Sequence, residues 1–124
     1  PGVAPLSSPG QPRAEGVARL GAGDLVIAIG LRRRPEGFSR MIAALAAQGV
    51  PILLLADHTV REAPAHARWS LEIPVETSQF ADSYLGAMAV LRLLLLETRE
   101  ALGDAGRAHL ERVEDLRLSL NELE

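Results

Sequence analysis

Two short apolar runs, residues 24–29 (DLVIAI) and 50–55 (VPILLL), flank one segment with helical periodicity. This arrangement leaves few folds open. The first run is bounded by Gly23 and Gly30, and its length and β-branched content suit a strand buried on both faces. Between the runs, Phe38, Met41, Ile42, Leu45 and Ala46 recur at helical spacing and make one apolar face. Pro35 fits the first turn of that helix, and Gly49 suits its C-terminal stop. A short helix over 60–68, limited by Pro64, and a third strand over 69–75 (WSLEIPV) continue the alternation. Strand, helix, strand, helix, strand predicts an α/β fold with a parallel sheet and right-handed crossovers.

The rest of the chain is helical or irregular. Residues 1–16 are rich in Pro, Gly and Ser and read as a flexible linker or tail, with the domain occupying 17–124. Asp82 or Ser83 is placed to cap a helix running to about residue 101. That helix carries Leu85, Met88, Ala89, Leu91, Leu93, Leu94 and Leu95 and is apolar nearly all round, as if flanked by the sheet and a second subunit. Gly103 and Asp104 break it. A last helix follows, with Leu110, Val113, Leu116, Leu120 and Leu123 forming a narrow seam suited to a helix pair or dimer contact. Met41 and Met88 read as core, and His66 and His109 as exposed.

Composition excludes several classes of function. The 124 residues include no cysteine, which removes disulfides, thiolate metal sites and cysteine nucleophiles. Three scattered histidines suggest no zinc site, and no cofactor is expected. A net charge of −3 and 3% aromatic residues argue against a nucleic-acid-coating surface or a base-stacking platform. All thirteen basic residues are arginine, which reads mainly as genome composition. No apolar run has the roughly 20 residues a membrane span needs, and the N-terminus lacks signal-peptide organisation, so a cytoplasmic location is expected. The chain begins at Pro1, which fits either initiator removal or a piece of a longer polypeptide.

Ligands of parallel α/β sheets bind beyond the carboxyl ends of the strands. Three loops qualify. The first carries Arg32, Arg33 and Arg34 at a helix entrance, where guanidinium forks and the helix dipole suit a phosphate. The competing reading is a solvated cluster paired with nearby acids. The second loop holds Asp57, His58 and Thr59, with His58 a conceivable acid or simply surface. The third holds Glu76, Thr77, Ser78, Asp82 and Ser83. Asp57, Glu76, Ser78 and Ser83 are candidates for sugar-hydroxyl contacts, and Asp82 is the helix cap. Trp69 reads as packing. There is no Walker loop, GxGxxG, GxSxG or HExxH, and no catalytic residue is assigned.

Several short stretches resemble the sugar isomerase (SIS) domain. Gly23-Asp24 precedes an apolar strand, Ala56-Asp57 ends the next, Ala63-Pro64-Ala65 stands where that family has Ser-Pro-Leu-Ala, and Ile73-Pro74-Val75 closes a short strand. The arginine loop and the segment SQFADSYLGAMAVLRLLL are similar to those of RpiR-type transcriptional regulators. The resemblance spans about residues 20–102. It implies a three-layer, flavodoxin-like parallel sheet, a non-enzymatic sensor of a phosphorylated sugar or related anion, and a homodimer.

The departures are specific. The family's Ser-x-Ser-Gly-x-Thr loop is replaced here by Gly30-Leu31-Arg32-Arg33-Arg34-Pro35. The first half of the SIS domain and the helix-turn-helix domain that would contact DNA have no counterpart in this sequence. A sheet of three strands leaves residues 24–29 as an open apolar edge, which invites pairing with another chain. An aldose–ketose isomerase, or a dimerisation module with a degenerate pocket, are the alternatives.

Overall fold

The computed structural model describes residues 2–6, 12–78 and 81–120. Their order is helix α1 (Arg13–Ala18), strand β1 (Val26–Gly30), helix α2 (Phe38–Ala47), strand β2 (Ile52–Ala56), a 3₁₀ helix (Ala63–His66), strand β3 (Trp69–Glu72) and helix α3 (Leu85–Ser119). The chain divides into two compact units, Pro1–Ser83 and Tyr84–Glu124.

The first unit is an α/β layer structure. Its sheet has the order β1-β2-β3, and both pairings are parallel. Val26 pairs with Ile52 and Gly30 with Ala56, while Leu53 faces Trp69 and Ala56 faces Glu72. Side chains alternate across a strand. One sheet face therefore presents Ala28, Ile52, Leu54 and Ala56, and these form the core with Phe38, Ile42 and Leu45 of α2. Val50, Val60 and Ala63 extend this core, and Leu6, Val17 and Leu20 pack against it. Helix α1 thus begins inside the stretch whose composition reads as linker.

Helix α2 closes as its sequence predicts. Gly49 takes a left-handed φ of 75°, which costs a residue without a β-carbon little. Its N–H donates to Ala46 O at 2.9 Å, and the Val50 N–H donates to Leu45 O at 3.1 Å. This is a Schellman closure, with Val50 turned into the core.

Four expectations need correction. Strand β1 is buried on one face only, because Ile27 and Ile29 remain 49% and 45% exposed. The segment over 60–68 yields only the four-residue 3₁₀ helix Ala63–His66. Pro64, at its start, has no N–H to extend an α-helical ladder backwards. The third strand stops at Glu72, short of Pro74. Met88 is exposed, whereas Met41 packs on the core.

The second unit is the helix α3, kinked at Gly103 (φ 55°, ψ −137°). That backbone conformation is open essentially to glycine alone. The break read from Gly103 and Asp104 is therefore present as a kink. Within this unit Leu85, Met88, Leu93, Leu95, Leu102, Leu110, Leu116, Leu118 and Leu120 are exposed. Leu123 lies outside the described residues. No helix among them is long and apolar enough to cross a membrane.

Candidate functional site

The carboxyl ends of the three strands carry the polar side chains singled out from sequence. After β1, the chain turns through Arg32, Arg33, Arg34 and Pro35 into α2. The N-cap of α2 is Gly37 (φ 77°), with no side-chain cap and no acid in the first turn. The partial positive charge at this helix end is therefore offset by no carboxylate within the first turn, although Glu36 stands just before the N-cap. An open cleft of 640 Å³ lies against it, lined by Arg32, Arg34, Arg40, Ser39 and Thr59, with Glu36 and Glu62 also contributing.

The three loop arginines have different surroundings. Arg33 is exposed and does not line the cleft. Arg32 is held by two carboxylates: its Nη1 lies 3.1 Å from Glu76 Oε1 and 3.3 Å from Asp82 Oδ1. His58 Nε2 stands 3.7 Å from the same Glu76 oxygen. This group joins the loops that follow all three strands.

Arg34 is fixed differently. Its Nη1 donates to Thr59 Oγ1 at 2.7 Å, and its Nη2 donates to the Thr59 carbonyl oxygen at 2.9 Å. Thr59 in turn donates twice to Asp57 Oδ1, from its N–H at 2.9 Å and from its hydroxyl at 2.5 Å. Asp57 is 2% exposed, and its second oxygen, Oδ2, is buried without a hydrogen-bond partner. The turn is completed by the Val60 N–H, which donates to Asp57 O at 3.1 Å.

The remaining sequence candidates separate accordingly. Glu76 is exposed and paired with Arg32, whereas Asp57 is enclosed and engaged with Thr59. Ser78 is exposed. The Ser83 N–H donates to Val75 O at 2.8 Å, and the Thr77 hydroxyl donates to Ala81 O at 2.7 Å, which closes the loop after β3. Asp82 is not the helix cap: Tyr84 occupies the N-cap of α3 with no side-chain cap bond, and Asp82 faces Arg32. Trp69 is half-exposed, with the Arg68 guanidinium 4.6 Å from its ring centroid.

Arg40 lines the cleft and is a candidate site residue that sequence reasoning missed. Helical side chains lean toward the N-terminus, so an arginine in the first turn reaches back over the helix entrance. Its position three residues past Gly37 is the signal that could have found it. Among the described residues, no cluster of three or more His, Asp or Glu is placed to hold a metal ion.

No protein-family model matches this chain, and no curated protein does. A solved structure does: the sugar isomerase domain of an RpiR transcription factor from Sphaerobacter thermophilus. The two superpose with a TM-score of 0.72 at 26% identity, over 82% of this chain and 57% of that one. The chain thus spans little more than half the length of the structure it matches. The resemblance carried by the short motifs is borne out in three dimensions, and the fold is that of an SIS-type domain.

Proposed function

We propose that this SIS-type domain is the ligand-sensing part of an RpiR-type transcriptional regulator, and that it binds a phosphorylated sugar or a related anion. The observation that carries this reading is the convergence of Arg32, Arg34 and Arg40 on the N-terminus of α2, whose first turn holds no acid, in a cleft of 640 Å³ where they outnumber the lining acids Glu36 and Glu62. Guanidinium groups and helix N–H groups together favour a tetrahedral oxyanion. In this proposal Arg34 and Arg40 hold the anion and Arg32 sits at its margin. The exposed Arg33 adds only to the local field. Glu76, beside Arg32, is the group best placed for a sugar hydroxyl. Asp57 is too enclosed for that role. DNA contact belongs to a separate helix-turn-helix domain, and ligand binding acts on it by favouring one of two states with different ligand affinity.

The test is a thermal-shift screen against sugar phosphates and phosphorylated acids, followed by calorimetry. A saturable rise in melting temperature with one class of compound, absent in Arg34→Ala/Arg40→Ala, supports the reading, because a ligand bound only by the native state stabilises it. Unchanged affinity in that variant rejects the site. Turnover of a sugar phosphate that disappears in Glu76→Gln would instead make the domain an isomerase.

The same proposal includes dimerisation. The exposed leucines along α3 support it, since a helix carrying Leu110, Leu116, Leu118 and Leu120 on its surface has apolar area to bury. Light scattering on the purified chain measures the mass directly.

A further inference from the structure

Arg34 presents an unusual case among the arginines of this chain. A guanidinium has two edges that can make paired hydrogen bonds: the end-on edge between Nη1 and Nη2, and the side edge formed by Nε and one Nη. Thr59 occupies the end-on edge, taking Nη1 at its hydroxyl (2.7 Å) and Nη2 at its carbonyl (2.9 Å). The side edge is left over, and Arg34 lines the cleft. The Thr59 hydroxyl can accept from Arg34 only in a fixed orientation, because its own proton is committed to Asp57 Oδ1 at 2.5 Å.

Asp57 is what makes this chain of bonds rigid, and it is costly to bury. A 2%-exposed carboxylate with one oxygen unpartnered is a feature that folds ordinarily avoid. A neutral or apolar residue after β2 would avoid that cost. That cost is offset where the carboxylate does a task. The task that the geometry offers is to accept both Thr59 donors, so that both Thr59 acceptors face Arg34.

We propose that Thr59 is a positioning residue for anion recognition: anchored on the buried Asp57, it takes the end-on edge of Arg34 and turns the side edge toward a tetrahedral oxyanion in the cleft. This inference rests on the anion-binding reading above and names how its principal arginine is aimed. The Asp57–Thr59 turn contributes no atom to the ligand. It fixes the guanidinium before the ligand arrives, and the ordering of a long side chain is then not charged to binding.

The experiment is calorimetric titration of the chain with inorganic phosphate, comparing wild type with Arg34→Ala, Arg34→Lys, Thr59→Val and Thr59→Ser, each with its melting temperature measured without phosphate. Thr59→Val is nearly isosteric but has no hydroxyl, while Thr59→Ser retains it. The expected result is a loss of about tenfold or more in phosphate affinity for Thr59→Val, the equivalent of ~1.4 kcal/mol. Thr59→Ser should stay near wild type. Arg34→Lys should behave like Arg34→Ala, because an ammonium is a point donor and cannot serve two edges. If Thr59→Val binds phosphate like wild type while Arg34→Ala does not, the positioning role is overturned and the anion site survives. If Thr59→Ser fails to restore what Thr59→Val loses, the role is one of packing, and the proposal is likewise overturned. If wild type itself binds no phosphate, both the site and the positioning role fall.

Discussion

The ring of Phe38 lies where a β-carbon on Gly30 would stand: Cε1 and Cζ come within 2.5 and 2.6 Å of that position. Gly30 ends β1 and Phe38 opens α2, so this contact sets how closely the first turn of the helix approaches the strand. The arginine-bearing loop between them is held at both ends by it. Gly30→Ala is therefore expected to lower stability by about 1–3 kcal/mol through overpacking. Denaturant unfolding reads it directly. Combining it with Phe38→Leu, which trims the ring, should cost less than the sum of the two single changes, since residues in contact do not add.

The two faces of the sheet predict opposite outcomes for similar truncations. Leu54 is fully buried between the sheet and α2, and Leu54→Ala should cost about 2–5 kcal/mol. Ile29, half-exposed on the other face, has less contact to lose. Ile29→Ala in the isolated chain should cost under about 1 kcal/mol, following the smaller apolar area removed. Equal losses at the two positions would mean that the β1 face is covered in solution.

Arg32 should matter little to stability. Its pairs with Glu76 and Asp82 sit at the surface, and such pairs contribute about 0–1 kcal/mol. Arg32→Ala is expected to leave the denaturation midpoint nearly unchanged, and the residual effect should shrink further in about 1 M salt, where the screening length is ~3 Å. A drop well beyond this range would show that the junction of the three loops has a structural role that its exposure does not suggest.

Self-association should depend on the far part of α3. Leu110 and Leu116 are exposed there, and Leu110→Arg/Leu116→Arg places charge on the apolar seam. If wild type forms the proposed dimer, light scattering should show a lower mass for this variant at the same concentration. The melting temperature of the α/β unit should stay put. An unchanged mass would move the dimer contact elsewhere.

The parts of the fold that could be read from sequence are those governed by local chemistry. Helix α2, its Gly49 closure and the strands on either side follow from periodicity and turn residues alone. The burial of β1 did not, because an apolar run reports that its residues avoid water but not how many layers surround them. Residues 60–68 hold a helical composition, yet Pro64 in the middle of the segment leaves only a 3₁₀ helix. At the site, the arginine loop was visible as charge, but its division into a clamped Arg32, an exposed Arg33 and a braced Arg34 depends on acids and a threonine 25 to 50 residues away in sequence. Asp57 read as a strand terminator with a polar job at the surface. Its enclosure comes from the turn that brings Val60 back into the core.

Among the described residues, strand β2 is hydrogen-bonded to a neighbour on each side, whereas β1 and β3 each have one pairing. Backbone amides in such a strand open to solvent only when most of the unit comes apart. In a hydrogen–deuterium exchange measurement, Leu53, Leu54 and Leu55 should be the last of the sheet to take up label. The Asp57–Thr59 turn is the direct continuation of this slowest-exchanging strand, so the guanidinium it braces is mounted on the part of the unit that breathes least. Any motion provoked by the proposed anion should then travel outward through the loops after β1 and β3, with the strand between them serving as the fixed point.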